Sequence, residues 1–453
     1  MNRRLDIMEN APVSKALAYL GLPTIIGLSV TGFYQLAVSF FVAQMGTQAM
    51  GAISIVYPLI LIMPGIGLLF GNGGAAYMAE LLGAGEKERA ETVLASTAFY
   101  CILLSVLTQL LLPFMPSLLV FMGASASVLP LAVQYGQILV ISFLFHIPSV
   151  CMNNLVRAEG NASLSMISQS TGAVLNVALT PLFLFYFDWG IRGAAASAAV
   201  AQFVAFCILA QYYLRGKSYL KLDFRKVRFQ WWILEPVLKI GVPLLCISLF
   251  QSISMTAANI AAAPHGDAVV AGLGIANRVI GMTTLAVTGF SRGYQTFISY
   301  CYGAGQPERI RLATKTAYLW GMLGGLGISA IQIGFAGSIV SAFSDDAKVI
   351  SIGIQALIAG SLLFFTYGYQ SMATVYLLCI RYSKAGFVFS ILRQGLAYLP
   401  LLLVFDRLFA VTGILYTQAV ADLVTTGLLV LFLTITKRSR KTALDMAFEK
   451  SDK

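Results

Sequence analysis

Two short segments of this chain recur further along it at one fixed shift. Gly21-Leu22-Pro23 returns as Gly241-Val242-Pro243, and Gly83-Ala84-Gly85-Glu86-Lys87-Glu88-Arg89 returns as Gly303-Ala304-Gly305-Gln306-Pro307-Glu308-Arg309, while Gly193 and Gly413 keep the same shift. Roughly half of the 453 residues are therefore a diverged copy of the other half. Around these echoes 58% of the residues are hydrophobic and 11% charged, too little polar surface to cover a water-soluble globule of this length. Internal symmetry in so apolar a chain predicts a membrane transporter built from two repeats around a central path.

Stretches such as 13–43 and 53–82 exceed the roughly 20 apolar residues that cross a bilayer, and twelve such stretches succeed one another up to Thr436. The predicted fold class is an all-α integral membrane protein of twelve transmembrane helices. Its organisation is an N-terminal lobe of six spans over 1–214, a basic linker over 215–232, a C-terminal lobe of six spans over 233–436 and a tail over 437–453. Six is an even number, so both copies enter the membrane from the same side and are parallel repeats related by an axis along the membrane normal.

Loop charges predict orientation. With the amino terminus inside, the inner segments hold 23 Lys and Arg, among them six between Arg215 and Arg228 and six from Lys437 onward, whereas the outer loops hold Arg192, Lys348 and Arg407. This bias places both termini in the cytoplasm of a multi-pass cell-membrane protein. The net charge of +11 then reflects topology and attraction to anionic headgroups of the lipid bilayer, and calls for no nucleic acid. Arg3, Arg4, Asp6 and Glu9 precede a first span too long for a signal peptide, so that span is expected to stay in the membrane. The basic, aromatic linker reads as an interfacial connector.

Several patterns lack the context their chemistry needs. Gly289-Phe290-Ser291-Arg292-Gly293 fits a nucleophile elbow by letter but lies in an apolar helical stretch. Asn161-Ala162-Ser163 is a sequon on the inner side. Gly67 with Gly71, and Gly321 with Gly325, have the spacing of close helix contacts. Six cysteines without a CxxC pair read as small core residues, and two histidines are too few for a metal site. No enzyme and no cofactor are expected.

Polarity kept inside the bilayer carries the remaining information, because an ionisable group at mid-helix costs about 2.5 to 3.5 kcal/mol to insert. Asp422 and Arg393 are the deepest by count; Arg278 and Arg292 share span eight; Glu80, Glu235, Lys239 and Asp406 fall near span ends, where side chains reach water. Asp422 and Arg393 have a plain alternative role as a salt bridge. Gln35, Tyr57, Asn153, Asn154, Gln251, Tyr367 and Gln370 are amides and phenols that either tie helices together or face one cavity. With Met255 and other methionines, such a cavity would suit amphipathic solutes of variable shape.

The run Asn154-Leu155-Val156-Arg157-Ala158-Glu159-Gly160-Asn161, the Gly-Ala-Gly segments followed by Glu and Arg, and Arg393-Gln394 ahead of Pro400 resemble the multidrug and toxic compound extrusion (MATE) family, in its bacterial multidrug branch. The resemblance runs from about Val13 to Thr436. It implies two six-helix lobes, a central cavity opening alternately inward and outward, and export driven by Na⁺ or H⁺; the expected partner is a small-molecule substrate and the expected state a monomer.

The chain departs from that family at the coupling site. The branch carries an acid on span one where this chain has Val38, and an Asp on span five where it has Thr180, four residues after the retained Asn176. Asn176 and Thr180 retain oxygens for a Na⁺ ion but no group that exchanges a proton near neutrality. Where some relatives place an acid and a Gln on spans seven and eight, this chain has Gln251 and Arg292. Asp422 is left as the deep carboxylate for ion coupling, and proximity to Arg393 would turn it into a fixed ion pair. The leading expectation is a secondary active exporter of amphipathic organic compounds working by cation antiport and alternating access. The alternative is a related exporter, with altered or lost ion coupling, for a neutral or anionic metabolite or a lipid-linked saccharide. A non-transporting receptor or scaffold stands third, because such a protein has no need of paired lobes.

Overall fold

A computed structural model describes residues 3–45, 47–122, 124 and 128–438, and among these every regular element is helical. In chain order the helices are α1 (Arg3–Asn10), α2 (Val13–Ala43), α3 (Thr47–Gly83), α4 (Lys87–Leu107), α5 (Met115–Phe121), α6 (Leu129–Ala158), α7 (Ala162–Pro181), α8 (Gly190–Leu214), α9 (Trp231–Ala262), α10 (Asp267–Gly303), α11 (Pro307–Gly334), α12 (Ala336–Ser341), α13 (Ala347–Ser361), α14 (Phe364–Cys379), α15 (Ser383–Ile391) and α16 (Tyr398–Arg438). An all-helical chain is what a bilayer demands, since each helix satisfies its own backbone N–H and C=O groups.

Nine helical stretches among the described residues are long and apolar enough to cross a membrane, and α13 with α14 forms a tenth, bent by 43°. The last stretch, Ser383–Thr436, has 54 residues. At 1.5 Å per residue it would run about 80 Å, enough for two passes through a core of about 30 Å. It turns at Ala410, whose φ of 49° and ψ of −131° interrupt the helix. With α3 added, the count reaches the twelve spans of the sequence reading. The tail beyond residue 438 lies outside the described residues.

The chain forms two compact units, Met1–Ala11 with Leu22–Leu245, and Pro12–Gly21 with Cys246–Lys453. Each repeated sequence feature turns out to mark one backbone event made twice. In the first unit the start of α9 presses on α3. A Cβ on Gly73 would stand 2.1 Å from the Val237 carbonyl oxygen, and one on Gly241 would stand 2.0 Å from that of Leu69. In the second unit the start of α2 presses on α10, and a Cβ on Gly293 would lie 2.7 Å from the Cα of Gly21. The repeat shift carries Gly21 onto Gly241 and Gly73 onto Gly293, so these are two copies of one glycine-lined crossing. Gly85 and Gly305, at φ of 77° and 64°, close α3 and α10 in the left-handed conformation. The N–H groups of Glu86 and Gln306 then bond back to the carbonyls of Leu81 and Cys301 at 2.9 and 3.0 Å. Gly193 and Gly413 let α8 and the second half of α16 approach the carbonyls of Phe183 and Phe405.

The copies differ in one informative place. Gly190 turns into α8 at φ of 55°, and at the equivalent position of the second copy the same turn is made by Ala410 at φ of 49°. That region is natural only for glycine, and holding alanine there costs on the order of 1 kcal/mol or more. Ala410→Gly is expected to raise the thermal midpoint of the purified protein, and Gly190→Ala to lower it. An unchanged midpoint for Ala410→Gly would contradict the strain.

At the start of the chain, α1 is tied into the first unit by a chain of side chains. Arg4 Nη1 donates to the Tyr212 hydroxyl at 2.9 Å; Tyr212 and Ser218 in turn donate to Oε2 of Glu159 at 2.9 and 2.7 Å. Glu159 sits between α6 and α7 at 1% exposure, and its Oε1 has no hydrogen-bond partner among the described residues. Burial pushes its carboxyl up to about 7, against the pull of the Ser218 and Tyr212 bonds. The linker is strapped along α4. Lys226 Nζ meets Glu91 Oε2 at 2.5 Å, Arg228 N donates to Ser96 at 3.0 Å, and the Tyr100 hydroxyl donates to the Arg228 carbonyl.

A Cβ on Gly67 would touch the Ile147 carbonyl at 2.7 Å and one on Gly325 the Phe365 Cα at 2.7 Å, so both small-residue pairs are close packing sites. Asn161 caps α7, accepting from Leu164 N at 3.3 Å. Of the six cysteines, all free, four are buried as expected for core residues; Cys207 is exposed on α8 and Cys246 is half-buried. A helix in lipid presents apolar residues outward as well as inward, so span membership does not imply burial.

Candidate functional site

Position 393 sits in a π-turn. Residues Leu392–Leu396 take a wide turn between α15 and α16, with Ala397 N reaching back five residues to the Leu392 carbonyl at 2.8 Å. Pro400 is the physical cause at hand, because it has no N–H and its ring clashes with the carbonyl four residues earlier, that of Leu396. One extra residue in the turn rotates the following helix by about a third of a revolution. Here it carries Arg393 to the face of Asp422.

The pair is bidentate and deep. Arg393 Nε lies 2.6 Å from Asp422 Oδ1 and Nη2 lies 3.3 Å from Oδ2, with side-chain exposures of 11% and 1%. Gln418, one helical turn before Asp422, donates from Nε2 to Oδ1 at 3.0 Å. The guanidinium stacks on Tyr367 at 4.2 Å from the ring centre. Gln370 Nε2 braces the same segment, donating to the Asp422 carbonyl at 3.0 Å and to Thr426 Oγ1 at 2.7 Å. Breaking such a pair on one side only is costly, about 3–5 kcal/mol, because the other charge is left buried and alone.

Beside the pair lies a cavity of about 120 Å³ within the second unit. Gln251, Ser254 and Met255 of α9, Asn277 and Thr284 of α10, Arg393, Gln394 and Tyr398 around the π-turn, and Gln418 of α16 are in its wall, with Leu273, Ile280, Ile414 and Leu415 as the apolar part. Asp422 is not in that wall. The guanidinium faces the space, and the carboxylate stands behind it.

The predicted site residues therefore separate. Gln251, Met255 and Arg393 share the cavity wall, and Tyr367, Gln370 and Asp422 support Arg393 from behind. Arg278 is exposed on α10 and is not in that wall. In the first unit Asn153 ties α6 to α7, donating to the Ser165 carbonyl at 2.9 Å and accepting from Ser165 Oγ at 2.8 Å. Asn154, which is buried where Asn153 is half-buried, donates to the Val150 carbonyl at 2.7 Å and accepts from Arg157. Both do the work of interhelical or local ties. Gln35 is exposed on α2, and the side chain of Tyr57 lies outside the described residues.

Asn176 and Thr180 come together as expected, with a partner that the sequence did not suggest. Thr180 Oγ1 donates to the Asn176 carbonyl at 2.7 Å, and Ser197 Oγ of α8 lies 2.9 Å from Thr180 Oγ1 and 3.1 Å from Asn176 Oδ1. All three residues are at most 5% exposed. The cluster is neutral, and its oxygens already satisfy one another through shared protons. Among the described residues no three His, Cys, Asp or Glu side chains converge as metal ligands would.

A family model described as MatE matches residues 23–182 and again residues 243–404. The chain belongs to the MATE family. The two matches begin at Pro23 and Pro243, related by the same shift as the echoes, so each copy is one MATE half. Over 426 residues the chain is 25% identical to the multidrug export protein MepA of Staphylococcus aureus (strain NCTC 8325 / PS 47), with 93% of each chain covered. The crystal structure of MATE in complex with MaL6 superposes with a TM-score of 0.91 at 22% identity, covering 95% of this chain and 98% of that one. The outward-facing conformation of a multidrug resistance MATE family transporter gives 0.90 at 22%, covering 94% and 96%. The twelve-helix MATE fold is thus the fold of this chain.

The sequence did not single out Gln418, Asn277, Tyr398 or Ser197, and it marked Gln394 only as part of a family motif. Gln418 was legible as the residue one turn before a buried acid. The others reach their places only through helix packing.

Proposed function

We propose that this chain is an alternating-access exporter of amphipathic organic compounds, a monomer set in the cell membrane with both termini in the cytoplasm. The observation that carries this reading is the doubled family match, two MATE halves in one chain that align over 93% of a relative named for multidrug export. Two bundles of like construction are what rocking about a shared path requires.

Secondary active export also needs an exchanged cation, H⁺ or Na⁺. Asp422 is the coupling group in this reading, the buried carboxylate of the second unit among the described residues. Because Arg393 bonds to both its oxygens, a cation reaches Asp422 only as the guanidinium withdraws, and coupling takes the form of a pair that opens once per cycle. Asn176 and Thr180 would serve Na⁺ only by giving up their bonds to one another and to Ser197.

The closed pair favours a second reading, in which ion coupling is altered or lost and the cargo is a neutral or anionic organic solute or a lipid-linked saccharide. An interior-negative potential drives an anion outward with about 2.3 kcal/mol per charge per 100 mV, so anionic cargo needs no antiported cation. Proteoliposomes given a pH gradient, a Na⁺ gradient or a membrane potential one at a time separate the two. Antiport predicts efflux of a cationic dye that one inward cation gradient accelerates and that falls at least tenfold in Asp422→Asn. Efflux indifferent to both gradients and to that substitution leaves the second reading. No flux of any organic solute under any condition sinks the exporter itself.

A further inference from the structure

The cavity of the second unit is rich in donors and has no open carboxylate. Two of the five guanidinium N–H groups of Arg393 serve Asp422, and the other three have no partner among the described residues. Tyr398, 8% exposed, has a hydroxyl with no hydrogen-bond partner among the described residues, and the same holds for the side-chain amides of Gln251, Asn277 and Gln394 in the same wall. Gln251 is exposed and Asn277 and Gln394 are half-buried, so their polar groups stand open to the cavity and free to meet a ligand. Nearby on α10, half-buried Arg292 has no carboxylate partner among the described residues, so the buried charges of this region sum to more positive than negative.

A cationic headgroup would meet the wrong chemistry here. The acid that would attract it is screened by Arg393 and already accepts three hydrogen bonds. An acceptor-rich group meets the right one, since a guanidinium fork binds carboxylates in two parallel bonds and a phenol and amide N–H groups extend the same donor surface. The space, about 120 Å³, fits a headgroup and not a whole drug-sized solute. Leu273, Ile280, Ile414 and Leu415 supply an apolar wall for the first carbons behind that headgroup.

From this geometry we infer that the cavity is a binding site for the carboxylate of an amphipathic organic anion, held by Arg393, with Asp422 as the internal counter-ion that the ligand competes against. The inference rests on the exporter reading and names a substrate class for it. Asp422 and the ligand then bind the same guanidinium, so the two substitutions act in opposite directions, which a purely structural ion pair would not do.

The test uses the full chain in nanodiscs and three matched fluorescent probes: dansylglycine, its neutral methyl ester, and cationic dansylcholine. Dansylglycine is expected to bind tightest. Arg393→Gln should weaken it at least tenfold, Arg393→Lys should keep part of the affinity, and Asp422→Asn should tighten it several-fold by removing the competitor. The double variant Arg393→Gln/Asp422→Asn, which leaves no lone buried charge, keeps the fold as a control and should bind as weakly as Arg393→Gln. Stronger binding of dansylcholine than of dansylglycine, or weaker dansylglycine binding in Asp422→Asn, overturns the site. In proteoliposomes, flux of dansylcholine alone, unchanged in Arg393→Gln, overturns the site while leaving the exporter standing, whereas no flux of any probe removes both.

Discussion

Gly241→Val leaves no folded transporter, and Gly73→Val does the same. At each position the new Cβ would stand 2.0 or 2.1 Å from a backbone carbonyl oxygen, at Leu69 and at Val237 respectively. A flexible side chain can swing aside, but a helix backbone moves only as a body, so the crossing of α9 over α3 must open along its length. Overpacking costs of about 1–3 kcal/mol are typical where side chains can give way, and this contact offers none. The effect is read as loss of the monodisperse peak in fluorescence-detected size exclusion. Gly281→Ala and Gly427→Ala serve as controls, since nothing lies within 4 Å of a Cβ at either. As glycines inside helices, both should gain a few tenths of a kcal/mol to about 1 kcal/mol on becoming alanine. Retention of full yield by Gly241→Val would mean that the crossing is not as close as described.

The second large effect is a dependence of stability on pH through Glu159. Its carboxyl is raised by burial from 4.5 in the open chain to about 7 in the fold. Between those two values the unfolded chain has already released a proton that the folded chain keeps. Stability is therefore greatest below pH 4.5 as far as this group is concerned, falls as pH rises through the window and is level above about 7. The shift corresponds to about 3 kcal/mol, or roughly 3 °C in the thermal midpoint of a chain this size. Glu159→Gln keeps an oxygen for the Tyr212 and Ser218 hydroxyls without a charge to bury. It should raise the midpoint at pH 8 and flatten the profile between pH 5 and pH 8. A wild-type profile already flat across that window would show that Glu159 is solvated.

Arg393 and Asp422 illustrate how far a sequence reaches into a site. Both stood out because charge is expensive in hydrocarbon, and that argument needs only their distance from the span ends. Their pairing was an open alternative until the π-turn at Leu392–Leu396 set the rotation of the segment, which depends on how Pro400 is accommodated. Asn153 and Asn154 carried the same signal of buried polarity and proved to be ties between and within helices. The cost of an unpaired amide is the same whether a helix or a solute relieves it, so the sequence has no means of telling the two apart. Arg278, on the same helix as Arg292, is exposed, because the two lie several turns apart and meet different surroundings along α10.

The sequence by itself determined the solvent, the twelve helices, the doubling of the chain at a fixed shift and the family, because each rests on quantities that add along the chain: apolar length, charge per loop and identity between the copies. It also marked Gly21, Gly85 and Gly193 with their copies, without saying what they do. Tertiary structure decided that two of these pairs are close helix approaches and one is a left-handed cap, that Ser197 completes the cluster at Asn176 and Thr180, and that Asp422 lies behind Arg393 and not in front of it. Those outcomes depend on the rotation of one helix against its neighbours. Rotation is set by packing contacts between residues far apart in sequence, which no local pattern encodes.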